Sequence, residues 1–340
     1  MSLRKQFRTF DRAIYLTKQS DEYKEARKKE HSILQDIAKK YKENGYPIIK
    51  HFRQGSFATD TAIKKLDGDF DVDRAIVIKK DDAPENPVDC KKAIYDVLEN
   101  RGFINHKIKT PCVTADYASL KLHIDYAVYQ LDDLDDFSIG LGKEYSKPEN
   151  KIWEYSQSKE FIDWINSSEN CTGFSDLTNE EKLQFKRLVR FVKRWRDYKI
   201  PQSHKEYVYS IGLTIMLKES FHSVIDENGV EDDLKSLILT IEYILDHKSY
   251  FTILGQDQYN VNVRIPFAPK IDVFRKHGKT HGTVLRNSLK SLVDKLMEAS
   301  KEEVLRKQCI ILQTVFGDDF EVPDDPKPSN ESHGYEKVVS

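Results

Sequence analysis

Apolar and polar positions change period midway along the chain. In "SDEYKEARKKEHSILQDIAKKYKENG", Ile33, Leu34, Ile37, Ala38 and Tyr41 recur at helical spacing. Ser20 stands at the N-cap position, acids follow it, and Gly45 closes the stretch, so residues 20–45 predict one long helix. "IIKHFRQ" then predicts a short strand, and "FATDTAIKK" a second, short amphipathic piece. "LDGDFDVDRAIVI" combines an Asp67-Gly68 turn signal with strand alternation. "KKDDAPENP" reads as a polar loop, and "VDCKKAIYDVLENRG" as a helix ended by Gly102. "FINHKIKTPCVTADY" and "SLKLHIDYAVYQL" alternate as two further strands. The first half is therefore α+β, with a small, strongly twisted sheet.

The second half is helical. "LTNEEKLQFKRLVRFVKRWRDYK" carries a capping box, Thr178 with Glu181 three residues later. "EYVYSIGLTIMLKESFHS", "VEDDLKSLILTIEYILDHK", "GTVLRNSLKSLVDKLMEAS" and "KEEVLRKQCIILQTVFG" continue the helical pattern. "YNVNVRIPFAPKIDVFRK" is an irregular, proline-broken crossing segment. The polar, proline-containing tail after Val322 has the composition of a disordered segment. The expected division is a core lobe over 1–175, a helical lobe over 176–322 and a tail over 323–340, with a cleft between the lobes.

Composition narrows the partners. Of 340 residues, 39% are apolar and 32% charged, which suits a soluble chain with many amphipathic helices. A net charge of −2 argues against a general nucleic-acid coat. Cys90, Cys112, Cys171 and Cys309 are far apart and lack metal-ligand spacing, so reduced thiols in the cytoplasm are expected. "MSLRKQFRTF" lacks the apolar core of a signal peptide, and no apolar run approaches the ~20 residues that span a bilayer.

The aspartates carry the chemistry. Residues two apart on a strand share a face, about 6–7 Å apart, which puts Asp69, Asp71 and Asp73 together. Like charges so placed repel, and partial burial adds a desolvation cost. A divalent cation reverses that balance, and Mg²⁺ prefers a few carboxylates completed by water and substrate phosphate. Asp125, in the apolar strand "LHIDYAVY", is the candidate third carboxylate. Spacing alone allows Asp69 with Asp71 or Asp71 with Asp73 as the pair. Gly55-Ser56 follows a strand, where a glycine lets the backbone approach phosphate. On residues 180–198, Lys186, Arg190 and Lys193 fall at i, i+4, i+7, a basic stripe of the kind that usually faces solvent.

Gly-Ser, a short helix, Asp-x-Asp on a strand and a later strand Asp together resemble the polymerase-β-like nucleotidyltransferases. More narrowly, "GSFATDTAI", "DGDFDVD", "TPCVTADY", "LHIDYAVY", "KEFIDWI", "RLVRFVKRWRD" and "IPFAPKIDVF" resemble the bacterial cGAS/DncV-like nucleotidyltransferases, or CD-NTases. The resemblance implies a two-lobed enzyme with its active site in the cleft. It implies Asp71, Asp73 and Asp125 as catalytic ligands of two Mg²⁺ ions, replaceable by Mn²⁺, with Asp69 behind them. It places a donor triphosphate against Gly55, Ser56, Lys193 and Ser210, with Tyr207 or Tyr209 available to stack on a base. ATP and other NTPs are the implied substrates, and a cyclic di- or trinucleotide that signals to an effector in anti-phage defence (CBASS) is the implied product. A linear oligonucleotide synthase and an inactive nucleotide sensor of the same fold are the alternatives. A monomer with no membrane partner and no DNA or RNA activator is expected, since no zinc insertion or large basic surface is visible. Asp60 stands where many members have Gly.

Overall fold

The structure, a computed structural model, describes residues 3–66, 70–117, 121–246 and 249–324. The Asp67-Gly68 turn, Asp69 and the segment 325–340 lie outside the described residues.

The chain opens with helix α1 (Leu3–Ile14), which the apolar pattern left unread. Helix α2 (Asp21–Glu43) follows, and the Ser20 side chain accepts from the N–H of Tyr23 as an N-cap should. Next come β1 (Ile48–Arg53), the single turn α3 (Gly55–Ala58) and β2 (Phe70–Lys79). Helix α4 (Pro87–Asn100) has Asn86 as its cap and Pro87 in its first turn, and leads into β3 (Lys107–Ile108), β4 (Val113–Tyr117) and β5 (Leu122–Leu131). Two further strands, β6 (Phe137–Gly140) and β7 (Trp153–Tyr155), complete a mixed sheet. The strand order is β1-β2-β5-β4-β3. The β2–β5 pair is parallel and its crossover includes α4, while β1–β2, β4–β5 and β5–β6 are antiparallel.

Strand alternation gives the sheet two different faces. Val72, Ile76 and Ile78 of β2, with Ile124, Tyr126 and Val128 of β5, pack against Ile33, Ile37 and Tyr41 of α2 and Ile94 and Leu98 of α4. Asp71 and Asp73 occupy the alternate positions. On their face Ala75, Val77, Ala127 and Tyr129 form only a small apolar cluster with Phe137. Arg74 points to the helix-covered face, where it is buried and bonded to both carboxylate oxygens of Glu30 on α2.

Helices α5 (Ser158–Asn166), α6 (Asn179–Lys199), α7 (Gln202–Lys205), α8 (Ser210–Ser220), α9 (Asp233–Asp246), α10 (Gly278–Lys301) and α11 (Leu305–Phe316) build the second half. The expected Thr178–Glu181 capping box closes the start of α6. A hairpin, β8 (Phe251–Gly255) with β9 (Gln258–Val261), lies against α10; the helical pattern gave no sign of it. Trp164 of α5 and Phe7, Phe10 and Ile14 of α1 belong to the same apolar cluster as Phe191, Leu213 and Phe316. Thus α1 and α5 contribute to the helical core although they precede residue 176. No helix among the described residues is long and apolar enough to cross a membrane.

Candidate active site

A cavity of about 890 Å³ lies between the acidic face of the sheet and helices α6 and α8. Its lining includes Gly55, Ser56, Asp71, Asp73, Asp125, Lys193, Tyr209 and Ser210. The predicted metal and phosphate residues within the described chain therefore share one cavity, with Tyr209 but without Tyr207.

The parallel register sets the carboxylates. Asp73 and Asp125 are direct partners across β2–β5, and Asp71 stands opposite His123. Asp73 is, like Asp71 and Asp125, half-buried. Burial, with Asp125 and then Asp71 close by, pushes its carboxyl up to about 7. Lys65 Nζ lies 2.7 Å from Asp71 Oδ2. Thr114 Oγ1 donates to Asp125 Oδ1, and Lys109 Nζ lies 3.3 Å from both oxygens of Asp125. Among the described residues no group of three or more His, Cys, Asp or Glu closes a cation shell. Three carboxylates facing one open cavity nonetheless suit Mg²⁺, which takes few protein ligands and fills the rest with water and phosphate.

Gly55 has φ +61, and an added Cβ would meet the Asp73 carboxylate. The N–H of the preceding Gln54 donates to Asp73 O at 3.0 Å, so this turn is tied to the acidic strand by its backbone. The Gln54 side chain accepts from Tyr129 Oη at 2.8 Å.

The basic stripe of α6 does not face solvent. Lys186 Nζ lies 3.2 Å from Asp60 Oδ2, Arg190 Nη1 donates to Asp60 O at 2.7 Å, and Arg194 Nη2 donates to Lys64 O at 2.7 Å. Lys193, 7% exposed, donates to the carbonyl and hydroxyl of Thr61 at 2.9 and 3.1 Å. Burial and then the nearby Arg196 guanidinium lower its pKa to about 7. Contact with residues 60–64 accounts for the stripe: Arg190, Lys193 and Arg194 satisfy carbonyls of an irregular segment that has no strand partner along most of its length, and Lys186 meets the Asp60 carboxylate. Of the short amphipathic piece expected over "FATDTAIKK", only Phe57 and Ala58 are helical, in α3, and residues 61–65 are irregular apart from a bridge of Ile63 to Tyr15.

Asp60 has φ +55, a region that Asp tolerates better than most residues. Its carboxylate takes Lys18 at 2.7 Å as well as Lys186. Burial would raise its pKa, but the two ammonium groups outweigh that and hold it low. Asp60 is thus a junction residue and does not line the cavity.

Ser210 begins α8, and its Oγ accepts from Arg196 Nη1. Tyr209 lines the cavity and packs on Phe274 with ring centroids 5.4 Å apart. Tyr207 instead stacks on His281 and packs tilted against His277, with ring centroids 4.4 and 4.5 Å away. Gln54, Lys65, Thr61, Lys109 and Arg196 went unnoticed in the sequence. Only the lysines left a trace, as positive charges in "IKKLDGD" and "KIKTPCV" beside acidic or strand positions.

Residues 49–129 match the family described as cyclic GMP-AMP synthase DncV-like, nucleotidyltransferase domain. The chain is similar to this family over those residues. It has the fold of solved CD-NTases. CdnG of Bradyrhizobium diazoefficiens, solved with GTP, is 15% identical with a TM-score of 0.66, over 94% of this chain and 96% of that one. CdnC of E. coli MS115-1, solved with HORMA-deltaN, is 18% identical with a TM-score of 0.65, over 94% and 98%. Vibrio cholerae DncV cyclic AMP-GMP synthase, solved with the linear intermediate 5′ pppA(3′,5′)pG, is 17% identical with a TM-score of 0.58, over 80% and 69%. No curated protein matches the chain.

Proposed function

We propose that this chain is a divalent-metal-dependent nucleotidyltransferase that joins NTPs and closes them into a cyclic di- or trinucleotide, with release of pyrophosphate. The observation that carries this reading is the pairing of Asp73 with Asp125 in one register, in a cavity that also holds Gly55, Asp71 and Lys193. The solved DncV complex with a linear intermediate supports two successive transfers in one cleft.

Asp71, Asp73 and Asp125 would hold Mg²⁺ or Mn²⁺, which supplies charge stabilisation at the α-phosphate and lowers the proton affinity of the attacking hydroxyl. The rest falls to positioning. Gly55 leaves room for the Asp73 carboxylate at this turn, and the Ser56 hydroxyl would donate to a phosphate. Lys193, held by Thr61, and Ser210, held by Arg196, would face the donor triphosphate from the helical lobe. Tyr209, which lines the cavity, is the better placed of the two tyrosines to meet a base; Tyr207 is taken by two histidines. The Asp73 carboxyl, pushed up by burial and then by Asp125 and Asp71, is a group that a cation would relieve. A downstream effector that reads the product, in bacterial anti-phage defence, completes the reading.

The test is incubation with labelled NTPs and Mg²⁺ or Mn²⁺, followed by phosphatase. A phosphatase-resistant product supports cyclisation. A ladder of phosphatase-sensitive products would replace it with linear synthesis, and nucleotide binding without turnover would replace it with sensing.

A further inference from the structure

Two lysines stand on carboxylates that the proposed reaction needs. Lys65 Nζ contacts Asp71 Oδ2 at 2.7 Å, and Lys109 Nζ sits 3.3 Å from each oxygen of Asp125. They arrive from different directions, Lys65 from the segment before β2 and Lys109 from the turn between β3 and β4.

Both hang from anchored backbone. The N–H of Lys109 donates to Cys112 O at 2.8 Å. Its carbonyl converges with those of Thr110 and Gly142 on the Nζ of Lys91, at 3.4, 2.5 and 2.9 Å. Lys91 is fully buried, so this three-carbonyl clamp fixes the turn that presents Lys109. On the other side, Lys64 donates its N–H to Ile14 O at 2.8 Å and offers its carbonyl to Arg194 at 2.7 Å. Lys65 is the next residue along.

A carboxylate oxygen cannot give full attraction to an ammonium and a divalent cation at once, because the two positive charges would sit within a few ångströms and repel. Entry of a cation therefore favours departure of the lysine. The released ammonium needs a new counter-charge, and a triphosphate brings one. We propose that Lys65 and Lys109 are internal counter-ions of Asp71 and Asp125, which hold divalent cation affinity down and pass to nucleotide phosphate when metal and NTP enter together. This rests on the nucleotidyltransferase reading and adds a regulation to it: metal and nucleotide raise each other's affinity, by a reciprocal factor.

The test is Mn²⁺ binding to the whole chain, followed by electron paramagnetic resonance of free Mn²⁺, with and without an ATP analogue whose α–β bridge resists transfer. Lys65→Met and Lys109→Met should each raise affinity for Mn²⁺ alone roughly two- to fivefold, the scale of a partly exposed ion pair. Each should also shrink the factor by which the analogue tightens Mn²⁺ binding. Lys65→Arg and Lys109→Arg should stay near wild type. Lys276, exposed on the rim of the same cavity, serves as a control for general charge, and Lys276→Met should change less. Unchanged or weaker Mn²⁺ binding in both Met variants overturns the proposal, as does an equal rise in Lys276→Met. Absence of turnover, with metal affinities behaving as expected, would sink the transferase reading alone. Turnover with unmoved affinities would sink the counter-ion reading alone.

Discussion

A Cβ on Gly55 would lie 2.1 Å from Oδ2 of Asp73, closer than any real contact. The missing side chain of the turn is what leaves room for the carboxylate. Gly55 also holds φ +61, where L side chains are strained. Gly55→Ala therefore moves either the turn or Asp73. We expect a stability loss of about 1–3 kcal/mol from strain and displacement, with nucleotide transfer reduced by about 100-fold or more. Thermal melting and a product assay check this; an Ala variant with wild-type turnover would show that the close approach is idle.

Asp71→Ala, Asp73→Asn and Asp125→Asn should each leave a folded protein. None removes an apolar contact, and Asp73→Asn relieves repulsion with its register partner. Transfer should fall by roughly 10³-fold in each, because charge stabilisation at the phosphate is lost. Turnover near wild type in Asp73→Asn would remove the metal-site assignment.

The same residue predicts a pH dependence of stability. Burial, Asp125 and Asp71 push the Asp73 carboxyl from 3.8 to about 7. Between those values the folded chain binds more protons than the unfolded one, so this group destabilises the fold as pH rises and its effect levels off above about 7. Protein in chelator should melt at falling temperature as pH rises through this window, and Asp73→Asn should flatten that fall. Parallel curves for the two proteins would mean that Asp73 ionises normally.

Arg190 joins three elements. Its guanidinium meets Asp11 of α1 at 2.7 and 2.9 Å, Asp60 O at 2.7 Å, and stacks over Tyr15 at 4.1 Å. Arg190→Met would leave a largely buried carboxylate without its cation, at a cost of about 3 kcal/mol. Arg190→Lys should rescue little, since a point charge cannot make the paired contacts. Chemical denaturation reads both; a loss below 1 kcal/mol in Arg190→Met would mark the contact as a surface one.

Much of the site was legible because strand alternation and Asp spacing act locally. Asp71 and Asp73 follow from period two, and Thr178–Glu181 from a three-residue rule. The parallel register of Asp73 with Asp125 was not, since it depends on the crossover through α4. Lys186, Arg190 and Lys193 look like a solvated stripe until the partner segment 60–64 is in place. Long-range packing also hid α1, whose phenylalanines find their partners Phe191, Phe316 and Phe320 far along the chain. Asp60 has no local signature, because its role depends on a left-handed backbone and on two lysines from distant parts of the chain.

Lys193 offers the sharpest separation of folding from function. Two effects oppose each other in Lys193→Met. Removing a buried ammonium, whose pKa is lowered to about 7 mainly by burial, takes away a desolvation cost. It also leaves Thr61 O without its donor, although Thr61 Oγ1 keeps its 2.9 Å contact with Thr59 Oγ1. The stem of Met fills nearly the same volume, so packing changes little. The net change in stability should lie within about 1 kcal/mol of zero. If the ammonium meets the donor triphosphate, KM for NTP should rise and turnover fall by about 100-fold together. A large drop in melting temperature with turnover per folded molecule intact would instead make Lys193 a clamp for the 60–64 segment and nothing more.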